Sequence, residues 1–228
     1  MAAALDLLID RFIQLIKAKK EAKAELFDNA VAPVAAAFEA VHAEYLASFA
    51  RYRETLKSSK EPLKPGHPLL DTIRTDNLFK EHQRTRLLQL GEGVGNSEVA
   101  PFAKAIQAYL MDARVAEDPI GGYRGGQFRN PQRWRRTLLA EIECIFEERW
   151  LSVLDPDCAA PPLRGEALAQ ALEAECRNAG IPKRDRRRMD RLKAHLAVKA
   201  LDEVVGEMQA AYAQTSEELL RLSRTLKA

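Results

Sequence analysis

Apolar residues recur at alternating steps of three and four along both ends of this chain, and no other feature narrows the choice of fold as much. At the N-terminal end Leu5, Leu8, Phe12, Leu15, Ala22 and Leu26, with Lys19 the polar member, form a heptad-like seam. After Pro33 the stripe resumes as Val34, Phe38, Val41, Tyr45, Phe49, Tyr52 and Leu56. At the C-terminal end Ala194, Val198, Leu201, Val205, Met208, Tyr212, Thr215, Leu219, Leu222 and Leu226 keep the same rule. That period places a residue on one face of an α-helix at every turn, whereas a strand would need strict alternation.

Each stripe is too long to be an ordinary helix of a small domain. A continuous N-terminal helix to Lys57 would span roughly 80 Å at the usual rise per residue. Pro33 removes one ladder hydrogen bond and crowds the preceding turn, so a kink or short break is expected between Asp28 and Pro33. Thr215 and Glu218 have capping-box spacing, which makes a break expected there too.

Between these ends the signals are shorter. The stretch from residue 58 to 68 holds three prolines and a glycine and reads as the clearest linker. Leu69 to Leu90 reads as one helix, and Ser97 as the N-cap of another that carries Val99, Phe102, Ile106, Tyr109 and Leu110. Asn130 and Pro131 open the most apolar helix, with Trp134, Leu138, Leu139, Ile142, Ile145, Phe146, Trp150, Val153 and Leu154 around much of its circumference. Leu163 to Asn178 is a short helix that Ala179 and Gly180 turn into the last one, which begins near Pro182 or Arg184. Few aromatics and an abundance of Ala, Leu, Glu, Arg and Lys agree with helices.

The expected fold is therefore all-α: an elongated multi-helix bundle whose long, kinked N- and C-terminal helices pair antiparallel around a compact helical middle. Its parts are a long N-terminal helix (1–57), a compact region (69–180) and a long C-terminal helix (182–228), folding as one cooperative unit. Cys144, Cys158 and Cys176 are odd in number and lack CxxC spacing, which implies a reducing, cytoplasmic setting. No apolar run reaches the length of a spanning helix.

Charge is distributed in blocks. The formal net charge is only +2, yet residues 124–136 hold five arginines and no acid. Residues 183–193 hold seven basic residues against two acids. In the first block Tyr123, Phe128 and Trp134 interleave with Arg124, Arg129, Arg133, Arg135 and Arg136, combining stacking surfaces with guanidinium groups that seek phosphate. The second block places Lys183, Arg184, Arg187, Arg188 and Arg191 at a helix start, where the dipole disfavours cations and an anionic partner would compensate. The competing explanation is that the arginines of the first block pair with acids on adjacent helices, and that the second block is a solvated basic face with no partner. If the hairpin between them brings the blocks together, they form one basic binding surface.

Other candidates are weaker. Glu39 and His42 have the spacing of a carboxylate-bridged metal motif, but one copy cannot fill such a site, so no metal or cofactor is expected. His67, Asp71, Arg74, Glu81 and His82 could converge as acid and base groups, yet their spacing is that of any solvated face. The glycines at 91, 93 and 95 lack the preceding strand that a nucleotide loop requires. No catalytic residue is assigned.

The sequence thus points to a non-enzymatic helical scaffold or accessory subunit. Its terminal helices bind a protein partner or a second copy, and its basic blocks meet an acidic one. Sequence-independent nucleic-acid binding through the two blocks is the alternative, and a helical enzyme ranks third. A membrane-surface role, with Lys17, Lys19, Lys20 and Lys23 flanking the first stripe, ranks last.

Overall fold

The computed structural model describes residues 7, 10, 12–14, 26–78, 81–93, 97–111, 133–148 and 165–227. Every regular element among them is helical: α1 (Ala32–Ser58), α2 (Pro68–Leu78), α3 (Glu81–Gly93), α4 (Ala100–Leu110), α5 (Arg133–Phe146), α6 (Gly165–Asn178) and α7 (Arg188–Lys227). The all-α architecture read from periodicity is the observed one. Among the described residues, no helix is long and apolar enough to cross a membrane.

The interruption around Pro33 takes a specific form. Phe27–Val31 is a π-helical turn, in which the Ala32 N–H reaches back to the Phe27 carbonyl. Widening the helix by one residue just before a proline accommodates its ring and its missing donor without ending the helix. The break expected near Thr215 does not occur. There the hydroxyl donates to the Ala211 carbonyl at 3.0 Å and α7 runs unbroken for 40 residues.

Other boundaries moved. The expected helix from Leu69 to Leu90 divides into α2 and α3, and α4 starts at Ala100, with Ser97 offering its backbone carbonyl rather than its side chain. The end of α6 follows from Gly180. Its φ of +67° lets the Ile181 N–H bond the Cys176 carbonyl and the Gly180 N–H bond the Arg177 carbonyl, the paired closure of a Schellman turn. The N-cap expected at Asn130 and Pro131, the burial expected of Trp150, and Cys158 all lie outside the described residues.

By its contacts the chain divides into two compact units, each assembled from separated segments. Residues 1–47, 77–134 and 205–228 make up the first unit, and residues 48–76 and 135–204 the second. The helices, not the loops, cross the divisions, since α1 and α7 each supply both units.

In the first unit α1 and α7 run antiparallel. Phe38 and His42 both stack on Tyr212, at 5.7 and 3.9 Å between ring centroids, and Lys227 pairs with Asp28 at 3.3 Å. Val34, Phe38, Val41 and Tyr45 of α1 are buried there with Phe102, Ile106 and Tyr109 of α4. In the second unit the α1 residues Phe49, Tyr52 and Leu56 are buried with Leu138, Ile142 and Phe146 of α5 and Leu192 and Leu201 of α7. Arg53 of α1 pairs there with Asp202 of α7. The linker of residues 59–67 lies inside this second unit.

Candidate functional site

The Pro-rich segment that read as a linker is fastened down along its length. Pro65 and Gly66, the latter at φ +82°, form a tight turn closed by the His67 N–H bonding the Lys64 carbonyl at 3.0 Å. Proline followed by a left-handed glycine is the pattern of a type II turn. His67 then caps α2: its Nδ1 accepts the Leu69 N–H at 3.1 Å and its carbonyl accepts the Leu70 N–H at 2.9 Å. Since Nδ1 accepts, Nε2 carries the proton and donates to Ser59 Oγ at 3.2 Å.

The second basic block holds the same segment from the other side. Leu63 is buried, its N–H donates to Asp190 Oδ1 at 3.1 Å, and its carbonyl accepts from Lys193 Nζ at 3.0 Å. Arg187 donates to the carbonyls of Lys60 and Glu61 at 2.8 and 3.4 Å. Lys193 also donates to the Phe146 carbonyl at 3.3 Å and Glu148 Oε1 at 2.8 Å, so all three of its protons are used. A segment with three prolines cannot satisfy itself through ladder hydrogen bonds, and these side chains take over.

The rest of the block is largely paired. Glu173 accepts from Arg188 at 2.6 Å and from Lys183 at 3.2 Å, and its carboxyl is held below its ordinary range chiefly by the Arg188 hydrogen bond. Arg191 pairs with Asp185 at 2.9 Å and Arg187 with Asp190 at 3.7 Å. Only Arg184 of the residues assigned to this block, together with neighbouring Arg186, is exposed with no ion pair among the described residues. The cost expected of cations at a helix start is offset rather than removed: α7 begins at Arg188, with Asp190 in its first turn, and Asp185 accepts the Arg187 N–H just before it.

Among the described residues the first block is less of a surface than its composition implied. Arg124 and Arg129 lie outside the described residues. Arg133 covers the Trp134 ring at 4.1 Å and donates to the Ala108 carbonyl at 3.1 Å. Arg135 was expected on the basic surface and is instead a core residue at 0% exposure, donating to Ser48 Oγ at 2.8 Å. It lies one step along α5 from Trp134, so the turn that buries the indole carries the guanidinium inward, where hydroxyl partners receive it. Tyr52 belongs to the same polar cluster and donates to Asp76 at 2.7 Å; burial first, then this hydrogen bond, push its phenol well above the ordinary range. Arg136 remains exposed.

What the sequence reading missed is the contribution of the linker itself. Lys57, Lys60 and Lys64 are exposed, have no ion pair among the described residues, and stand on the segment that Arg187 and Lys193 fix in place. Three lysines against one glutamate between residues 57 and 64 were the available signal. Beside them an open groove of about 340 Å³ is lined by Lys57, Arg187 and Arg191 and by the carboxylates Glu61 and Asp190.

The acid and base candidates are divided between the two units. His67, Asp71 and Arg74 belong to the second unit and Glu81 and His82 to the first. Asp71 and Arg74 pair with each other at 2.7 Å, and His67 is committed to its cap. His42 Nδ1 lies 2.8 Å from Tyr109 Oη within the aromatic cluster. Among the described residues no group of three or more His, Cys, Asp or Glu side chains is placed to hold a metal ion.

The two buried histidines carry a pH prediction. Burial disfavours the imidazolium at His42 and His67 and lowers both pKa values below the ordinary 6.5, against smaller opposing effects of Glu39 and Glu61. The unfolded chain therefore takes up protons that the folded chain does not. This stability is fully present above about pH 6.5 and is lost as pH falls through the lower, folded values. Urea midpoints measured from about pH 7.5 to about pH 5 should fall, and a His42→Phe, His67→Asn double variant should show a flatter slope. Equal slopes would remove the two histidines from the account.

Comparison with protein-family models, with curated proteins and with solved structures finds no match to this chain.

Proposed function

We propose that the chain is a non-enzymatic helical scaffold or accessory subunit that assembles through the exposed side of its C-terminal helix. The observation that carries this reading is the outer side of α7 in the first unit. Ala210, Ala213 and Leu220 follow one another there at helical spacing, all exposed, with Leu220 at 59%. The opposite side of the same stretch, Met208, Thr215 and Leu222, is buried. A 40-residue helix spans about 60 Å, and its antiparallel pairing with α1 gives that outer side a supported backbone on which a partner helix could lie.

Light scattering tests it with the full chain. The mass is expected to exceed 25.5 kDa and to return to that value in Leu220→Glu, while thermal stability stays the same because the side chain contributes little to the core. A monomeric parent protein, or a variant whose mass does not change, would overturn assembly through this side.

A further inference from the structure

We infer that the fastened segment 57–64 and the turn that leads into α7 form one cationic surface that takes the phosphate backbone of a nucleic-acid duplex. This goes beyond the assembly role and concerns a different part of the chain, within the second unit.

The inference starts from which charges the fold uses. Glu173, Asp185 and Asp190 are spent on Lys183, Arg187, Arg188 and Arg191, and Lys193 is spent on carbonyls and Glu148. Lys57, Lys60, Lys64, Arg184 and Arg186 have no ion pair among the described residues and are exposed. The hydrogen bonds from Arg187 to the Lys60 and Glu61 carbonyls, and from the Leu63 N–H to Asp190, join the two stretches that carry these five cations. The paired residues therefore build a fixed platform, and the unpaired ones supply its charge.

The chemistry of the platform favours a phosphate backbone over other anions. Protein interfaces rest on a desolvated apolar or aromatic anchor, and here the leucine at the centre, Leu63, is 2% exposed and already covered. Single-stranded nucleic acid is held by base stacking, and neither segment 57–66 nor segment 183–191 contains a Phe, Trp or Tyr. Long cationic side chains around a groove whose apolar members Leu56 and Leu63 are themselves buried suit contacts that position a duplex without reading its sequence. The carboxylates of Glu61 and Asp190 inside the groove would keep phosphates at its cationic rim.

The test uses the full chain and a labelled random-sequence DNA duplex. With about five phosphate contacts the slope of log affinity against log salt is about −4.5, and affinity falls about five-hundredfold between 50 and 200 mM salt. Changing Lys57, Lys60, Lys64, Arg184 and Arg186 together to Gln should abolish binding at 50 mM and leave the thermal melt in place. If that variant does not fold, Arg184→Gln with Arg186→Gln carries the same test, and its slope should flatten by about two. Lysine-to-arginine changes at positions 57, 60 and 64 should bind as the parent does. The inference is overturned by absence of duplex binding at low salt, by binding that ignores these substitutions, by a preference for the single strand, or by equal affinity for polyglutamate. The last outcome would assign the surface to an acidic protein.

Discussion

Replacing Trp134 with alanine should cost about 3–5 kcal/mol, in the range measured for truncating a buried indole. The ring is 1% exposed, lies edge-on to Tyr109 at 5.5 Å between centroids, and is covered by the Arg133 guanidinium. Tyr109 in turn contacts Phe38 at 4.8 Å and hydrogen-bonds His42, so the cavity would open beside the aromatic cluster that joins α1, α4 and α7. Trp134→Phe should behave very differently. The indole Nε1 is buried and has no hydrogen-bond partner among the described residues. An unsatisfied buried donor costs about 1–3 kcal/mol, and removing it offsets part of the lost contact area. Trp134→Phe should therefore cost about 1 kcal/mol. Urea midpoints for both variants decide the matter. A phenylalanine variant as unstable as the alanine one would mean that the donor is satisfied and that the ring's full shape is required.

The helices were readable because burial along them follows the period that the sequence shows. All seven members of the stripe from Val34 to Leu56 are 3% exposed or less, and the apolar side of α4 from Val99 to Leu110 is equally covered. Along α7 the agreement is looser. Leu201, Met208, Thr215, Leu222 and Leu226 are buried as expected, but Ala197 and Val204 are buried where Val198 and Val205 were expected. Neighbouring small apolar residues make the stripe's position ambiguous by one residue, and only the partner surface decides which of them turns inward. The π-helical turn was legible as an interruption at Pro33 but not in kind, because a kink, a break and a π turn all answer the same lost hydrogen bond.

The contacts of the basic and Pro-rich segments were not legible, for a different reason. Leu63 meets Asp190 and Lys60 meets Arg187 across more than a hundred residues. Periodicity carries no information about such pairs. Composition made 58–68 a boundary because prolines and glycine break helices, which they do here. It could not show that the backbone groups left over would be collected by side chains of a distant helix start. The same contacts pair most of the second block and leave the lysines of the first segment exposed, which a count of arginines does not show.

Lys193 and Arg191 stand two residues apart in the same basic run, and their replacements should differ in effect by several-fold. Lys193 is 5% exposed, and its three protons go to the carbonyls of Leu63 and Phe146 and to Glu148. Phe146 ends α5, so the ammonium also sits at the negative end of a helix dipole. Lys193→Met keeps most of the stem but leaves two carbonyls and a carboxylate without their donor, at an expected cost of about 2–4 kcal/mol. Arg191 is exposed and its bond to Asp185 is a surface ion pair, so Arg191→Ala should change stability by no more than about 0.5 kcal/mol. Lys193→Ala should be at least as damaging as Lys193→Met, since it also removes the packed methylenes. Hydrogen exchange would locate the damage. In Lys193→Met the Leu63 amide should lose protection together with the C-terminal turn of α5, because one ammonium holds both. If Lys193→Met is as mild as Arg191→Ala, the linker is held by Asp190 and Arg187 alone, and the platform beneath Lys57, Lys60 and Lys64 is looser than these contacts imply.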